Sequence, residues 1–509
     1  MKFSAPLAEL KRRTDDALAM GGPEKLAARR AAGELNARER LEALLDADSF
    51  VESGMFARGI RPENRARTPA DGKVAGYGAI EGRTVAVVSN DFTSMGATSS
   101  AINGKKIRHI RETATARGMP LIFLGESAGS RMPDRMGASG RAMLGQDALE
   151  YLRNRKTPWV SALLGNCYGS STWYACMSDF VVMRKGATMA VASSRVTSVA
   201  INQEVSPEEL GGWRLHTDVT GLVDIAVDTD EQALQTIRKF LSYLPSQAGQ
   251  KAPRCQTPEA LDESGEAVME ALPESRNTVY DVRAIVRAVV DQDSLFELKE
   301  RFGKSITTGL ARIDGYPVGI IANNPKFKGG AIDIDAMRKA TSFMVLCDSY
   351  NLPIIFLVDQ PGFLIGTDSE KRWAPGRIMN WMNALSLVSV PKFSVIMRKS
   401  YGQAYLNMGG GKNSHEVLAW PTADLGFVDP ALGVHILHKL KREDDPVRFD
   451  TLLEEIRQDS SAWSLAELYE TQAVIDPRHT RKELKALLKV YCGDGFVGQH
   501  ALSNWPTSY

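Results

Sequence analysis

Cysteine is scarce: Cys167, Cys176, Cys255, Cys347 and Cys492 are an odd five, spread along 509 residues with no C-x-x-C pair. That spacing excludes a disulfide framework and a structural zinc site, and it makes a reducing, cytosolic setting the expectation. Histidine is little commoner, at seven, and none lies in an H-E-x-x-H arrangement, so no metal is expected. Charge of one sign is missing too. The 62 Lys+Arg and 61 Asp+Glu residues leave a net charge of +1, which implies neither a nucleic-acid nor a membrane-surface partner. No apolar run reaches the roughly 18 residues of a membrane span. The N-terminal residues from Met1 to Arg13 become charged before a signal-peptide core develops. What remains is average: 43% hydrophobic and 24% charged residues, the composition of a globular chain rather than a disordered or collagen-like one. At about 100–200 residues per domain, the length implies two to four domains.

The chain repeats itself. A shift of 233 residues lays GYGAIEGRTVAVVSN (76–90) over GLARIDGYPVGIIAN (309–323), with Gly76, Ile80, Gly82, Val85 and Asn90 recurring as Gly309, Ile313, Gly315, Val318 and Asn323. The same shift, without a gap, pairs GMPLIFLGESAG (118–129) with NLPIIFLVDQPG (351–362), and TPWVSALLGNCYG (157–169) with VPKFSVIMRKSYG (390–402). Three blocks in one register mark two copies of one fold. Each copy reads as a hairpin turning at a glycine, then a helix with apolar residues at i, i+3 and i+4. A short, wholly apolar strand follows (LIFLG, IIFLVD), as expected of one buried on both faces. Strand–helix alternation with buried strands predicts an α/β class with layered sheets. The polar, proline-bearing stretch 246–275 is the natural break, giving domains 1–255 and 256–509, and the first 50 residues read as a charged helical extension.

Several common catalytic signatures are absent: no Walker loop, no G-x-G-x-x-G after a strand, and no biotin-attachment A-M-K-M. What recurs is a buried strand running into small residues that open a helix, at SAGS (127–130), CYGSS (167–171), QPGF (360–363) and SYGQA (400–404). Backbone N–H groups at such starts carry the positive end of the helix dipole. Two such turns side by side would make an oxyanion hole, at about 2.7–4 kcal/mol per donor. A single turn of this kind is explained equally by close packing of helix on strand; their duplication in register favours a site.

At these residues the chain resembles the carboxyltransferase (β) subunit of biotin-dependent acyl-CoA carboxylases of the propionyl-CoA/acetyl-CoA type, a tandem duplication of the crotonase-like fold. The stretches that carry the resemblance include DGKVAGYGAIEGR (71–83), VSPEELGGWRLHTDVTGLVD (205–224), AIDIDAMRKATSFMVLCD (331–348), LVDQPGFLIGT (357–367) and VIMRKSYGQAYLNM (395–408). The resemblance implies that biotin carried on a separate biotin carboxylase/biotin carboxyl carrier subunit delivers CO2 and the base, so that no side chain of this chain need be one. It implies catalytic roles for Gly169, Ser170, Gln403 and Ala404. Gly129, Ser130, Ser171 and Leu406 would bind the acyl-CoA, and Gly362, Phe363 and Gly402 the biotin. The N-terminal copy would thus be the acyl-CoA side and the C-terminal copy the biotin side, within a homo-hexamer built as a trimer of dimers. The chain departs from the family at Gln403, bulkier than the usual Gly, and at Leu406, where propionyl-type enzymes often carry Asp. It departs again in MGGGKNSHEV (408–417) and in the tail after residue 490.

Other readings are a decarboxylase or transcarboxylase subunit, a non-catalytic scaffold, and a biotin-independent CoA hydratase or hydrolase. The last would need an acidic base near a turn; Glu126 and Asp359 are the candidates, read here as caps of the following turns. His216 is weighed between a substrate-site and a structural role. Arg131 is either a partner for CoA phosphates or half of a helix-surface ion pair. Lys105 and Lys106 read as a solvated helix face, Cys167 and Cys176 as small packed residues, and Trp159, Trp173 and Tyr174 as packing groups.

Overall fold

The computed structural model describes residues 3–142, 148–256 and 265–506, so residues 257–264 of the expected break and the last three residues of the tail lie outside it. Three helices, Ser4–Leu18, Pro23–Ala31 and Ala37–Leu44, form the N-terminal extension. The chain then divides into two compact units, 1–242 and 243–509.

Among the described residues each unit is built on one eight-stranded mixed sheet. In the first, β1 (Val51–Glu52), β2 (Lys73–Ile80) and β3 (Arg83–Asn90) pair antiparallel. The sheet continues in parallel through β4 (Leu121–Ser127), β5 (Trp159–Tyr168), β6 (Phe180–Arg184) and β8 (Ile225–Val227), with β7 (Thr188–Ala190) beside β5. In the second, β9 (Phe296–Leu298), β10 (Ile306–Ile313) and β11 (Tyr316–Asn323) are antiparallel. There β12 (Ile354–Gln360), β13 (Lys392–Tyr401), β14 (Glu416–Ala419) and β16 (Ala473–Val474) continue in parallel, with β15 (Asp424–Gly426) beside β13.

The two sheets share strand order, and the shift found in the sequence carries β2–β5 onto β10–β13 end for end. Glu81-Gly82 and Asp314-Gly315 take positive φ at both hairpin positions (52° and 74°; 51° and 74°), the turn whose twist matches that of the flanking strands. The crossover helices Ala101–Arg117 and Ile334–Ser349 start at equivalent caps: Ser100 in a capping box with Asn103, and Asp333 accepting the Ala336 N–H at 2.8 Å. Every residue of β4 and β12 is buried, as expected of parallel strands covered on both faces. Both break register at the same place, between Gly125 and Ser127 and between Val358 and Gln360. That irregularity shifts the partner of the last strand residue just before the glycine turns.

Candidate active site

Ser127, last in β4, lies opposite Cys167 near the end of β5, so the turns that follow both strands emerge side by side. A Cβ built on Gly169 would fall 3.9 Å from Gly129 Cα, and one on Gly129 would fall 3.7 Å from Tyr168 Cβ. Gly169 has φ +64° and ψ −120°, a backbone state that side-chain-bearing residues enter only with strain. From it starts the helix Ser170–Met177, and the N–H groups of Gly169, Ser170 and Ser171 take no acceptor among the described residues. The neighbouring turn differs: Gly129 gives its own N–H to Ser127 Oγ at 3.1 Å, and its carbonyl accepts from Ser99 at 2.8 Å. The Gly129 N–H is therefore already engaged. Ser130 pairs with Ser99 in a short parallel bridge, and the Ser99 hydroxyl meets that of Ser170. Ser171 Oγ accepts from Asn90 at 3.3 Å. The structure thus brings Gly129, Ser130, Gly169, Ser170 and Ser171 into one cluster.

The second unit repeats the arrangement with different side chains. Gln360 at the end of β12 lies opposite Ser400 of β13. Gly402 (φ +63°, ψ −153°) opens the short helix Gln403–Asn407. Its N–H goes to the Gly426 carbonyl at 2.9 Å, while those of Gln403 and Ala404 take no acceptor among the described residues. Phe363 bridges Ile332, as Ser130 bridges Ser99. Gly362 (φ +123°) has no described atom within 4 Å of a built Cβ beyond its chain neighbours. Ala404 is fully buried, whereas Gln403 is exposed and touches Asn407 only weakly, at 3.4 Å. Leu406 is half-buried and lies in the second unit, apart from the other predicted substrate residues in sequence and unit. It packs toward Gly411, whose N–H is held by the Tyr405 hydroxyl at 2.7 Å. The divergent 408–417 loop is thereby tied to the helix that bears Leu406.

Several single-residue expectations are corrected. Glu126 does not cap a turn: it is buried and bound by Arg29 at 2.8 Å and by Arg40 at 2.9 Å, and Arg40 reaches on to Asp230 at 2.9 Å. Asp359, its equivalent, accepts from Arg398 at 2.9 Å and from the Tyr280 hydroxyl at 3.0 Å, and burial pushes its carboxyl upward. Both acids are consumed by internal partners, so neither stands ready as a base. Arg131 lies on no helix surface: it is 1% exposed and paired with buried Asp71 at 2.6 Å. Lys105 is exposed as expected, but Lys106 is buried. Trp159 and Tyr174 pack on Phe123, whereas Trp173 is 37% exposed. His216 spends both ring nitrogens, on the Met189 carbonyl at 2.7 Å and on Thr220 Oγ1 at 3.1 Å, and burial lowers its pKa. Burial also raises the Cys167 thiol to about 12, consistent with a packing role.

One group near the turn escaped the sequence reading. Lys73 is buried behind it, its Nζ donating to the Ala97 carbonyl at 2.8 Å, and burial lowers its pKa to about 7. Together with Asn90, Ser170 and Ser171 it lines a space of about 10 Å3. The signal was available, because the 233-residue shift sets this lysine against Ile306 at the start of an otherwise similar strand.

Residues 28–493 match the family model described as "Carboxyl transferase domain". The chain belongs to this family. It is 34% identical over 495 residues to the propionyl-CoA carboxylase carboxyltransferase subunit of Haloferax mediterranei, covering 95% of each chain. It is 32% identical over 469 residues to the methylmalonyl-CoA decarboxylase subunit alpha of Veillonella parvula, covering 91% of each. Among solved structures, a transcarboxylase 12S chain superposes with a TM-score of 0.90 at 29% identity, over 96% of each chain. The duplicated α/β carboxyltransferase fold is therefore shared along nearly the whole length.

Proposed function

We propose that this carboxyltransferase is the component of a biotin-dependent acyl-CoA carboxylase that moves a carboxyl group onto the α carbon of a short acyl-CoA. The observation that carries the reading is the pair of equivalent glycine turns, each leaving backbone N–H groups unspent at the end of a buried parallel strand. In the first unit, the acyl-CoA side, the N–H groups of Gly169 and Ser170 receive the thioester oxygen. Their hydrogen bonds strengthen as that oxygen gains negative charge in the enolate, so the stabilisation is realised in the transition state. Gly129, with no side chain, leaves room for the thioester, and the Ser99–Ser170–Ser130 contacts hold the turn in shape. These donors are fixed by the sheet and need no reorganisation during the reaction.

Biotin borne on a partner subunit supplies the carboxyl group and the base. The second unit fits such a group: the open space over Gly362 admits a flat ring, and the Gln403 and Ala404 N–H groups are donors for a ureido carbonyl. Gly402 contributes its positive φ, Phe363 an apolar wall, and Leu406 lines the approach on the same helix. The 12S relative is described as a hexamer, and a homo-hexamer is the assembly proposed here, acting in the cytoplasm. Two helices support association. Ser194–Ile201 buries none of its residues and leaves Val199 80% exposed, and Pro430–His438 leaves Leu437 71% exposed. The likeness to a decarboxylase subunit and to a transcarboxylase keeps the reverse or transfer reaction as the second reading.

The test is a carboxylation assay with a biotin carboxylase and carrier partner, ATP, bicarbonate and a panel of acyl-CoAs. Turnover that is lost in Gly169→Val supports the reading. No turnover, with the partner proven competent on another carboxyltransferase, overturns it.

A further inference from the structure

The second unit carries a cavity of about 710 Å3 whose lining includes no residue of the glycine turns that follow β12 and β13. One wall is a face of the helix Thr480–Cys492. Lys482, Lys485 and Lys489 recur there at i, i+3 and i+7, while Leu484, Leu488 and Cys492 on the opposite face enter the core. Arg254 and Arg481 bring the cations of the lining to five, against the two carboxylates of Asp314 and Asp494. Asp314 is already engaged, by Arg254 at 2.8 Å and by Lys485 at 3.1 Å, so it aims two cations at the cavity without neutralising the rest. Arg481 is steadied by Asp291 at 2.6 Å, but Lys482 and Lys489 face no carboxylate within ion-pair distance among the described residues.

Folding alone does not explain this pattern. Arg481, Lys485 and Lys489 follow one another at i+4, where like charges cost helix stability. The floor is built as well: the Arg254 guanidinium lies 4.0 Å over the Tyr316 ring, and the Tyr316 hydroxyl donates to the Gly493 carbonyl, drawing in the start of the divergent tail. At about 1.5 Å per helical residue, Lys482 to Lys489 spans about 10 Å, more than one phosphate requires. The volume falls within the range of about 300–1,000 Å3 typical of small-molecule sites.

We propose that this cavity binds a small molecule bearing a di- or triphosphate group, of the size of a nucleotide. The inference does not depend on which acyl group the enzyme carboxylates.

The test is isothermal titration of the full-length protein with ADP, ATP, pyrophosphate, phosphate and sulfate, at low and high ionic strength. Binding is expected for ADP, ATP and pyrophosphate, weakening with salt, with phosphate and sulfate far weaker. The exposed pair Lys482→Glu/Lys489→Glu should lose at least about tenfold in affinity, the equivalent of one charge-assisted hydrogen bond. The milder Lys482→Gln/Lys489→Gln pair should show the same direction and guards against misfolding, checked by an unchanged thermal unfolding midpoint without ligand. The proposal is overturned if no polyphosphate binds, if sulfate binds as well as pyrophosphate, or if affinity is the same in both variants. It is equally overturned if the basic face captures only an acidic protein surface.

Discussion

Lys106 and Lys339 stand at equivalent positions in the two units, and both are buried with the ammonium turned onto backbone carbonyls. Lys106 reaches the carbonyls of Gly54 at 3.0 Å, Ala70 at 3.4 Å and Lys73, and Lys339 those of Phe302 at 3.1 Å and Ile306 at 2.8 Å. Burial lowers their pKa values to about 8 and about 7. A lysine whose folded pKa lies below its unfolded value binds fewer protons folded than unfolded between the two values, so its contribution to stability rises with pH there. Comparing Lys339→Met with the native protein by denaturant unfolding should show the variant's relative stability falling between pH 7 and pH 10. The limit is about 1.4 kcal/mol per pH unit. A difference that stays flat over that range would show that the ammonium is fully retained.

Gly169→Val places a β-branched side chain at φ +64° beside Gly129. Carboxylation is expected to fall by about 10²–10³-fold, the loss of an oxyanion donor. Ser170→Ala, which removes a hydroxyl but keeps the N–H, should cost less than about tenfold; a few-kcal/mol effect belongs to the backbone donor, not the hydroxyl. Steady-state kinetics with one acyl-CoA, alongside thermal unfolding, separates the two variants.

Glu126→Gln tests the buried cluster. Arg40 is fully buried between Glu126 and Asp230, so neutralising one partner leaves charge without compensation. A loss of about 3–5 kcal/mol in unfolding free energy is expected. A variant as stable as the native protein but without activity would instead reinstate Glu126 as a catalytic base.

Gln403→Ala removes an exposed side chain at the second-unit turn with one weak contact. Stability should change by no more than about 0.5 kcal/mol. If Gln403 crowds the approach to its turn, KM for the carrier partner falls while KM for the acyl-CoA holds. A change confined to the acyl-CoA would place Gln403 on the other side of the reaction.

Much of this fold was legible because duplication writes its own key: matched blocks in one register located strands, hairpins and glycine turns before any geometry was known. The buried ionic groups were not read, although the same register pairs Lys106 with Lys339 and Glu126 with Asp359. A charged residue on an amphipathic helix reads as solvent-facing by default, since burial depends on what the far end of the chain brings against it. Arg40 reaching Glu126 and Asp230 is a contact of that kind, between residues 86 and 190 positions apart. Which glycine N–H groups remain open was likewise invisible, because Ser127 and the Gly426 carbonyl decide it in space.

The matching bulges at the ends of β4 and β12 give one scaffold two independently tunable mouths. Gly169 and Gly402 share a positive φ (64° and 63°) but differ in ψ and in their neighbours. A mutation that reshapes one mouth leaves the other's hydrogen-bond donors where they were. The divergence at Gln403 and Leu406 falls on the second of these turns alone, the one proposed above for the carboxyl donor.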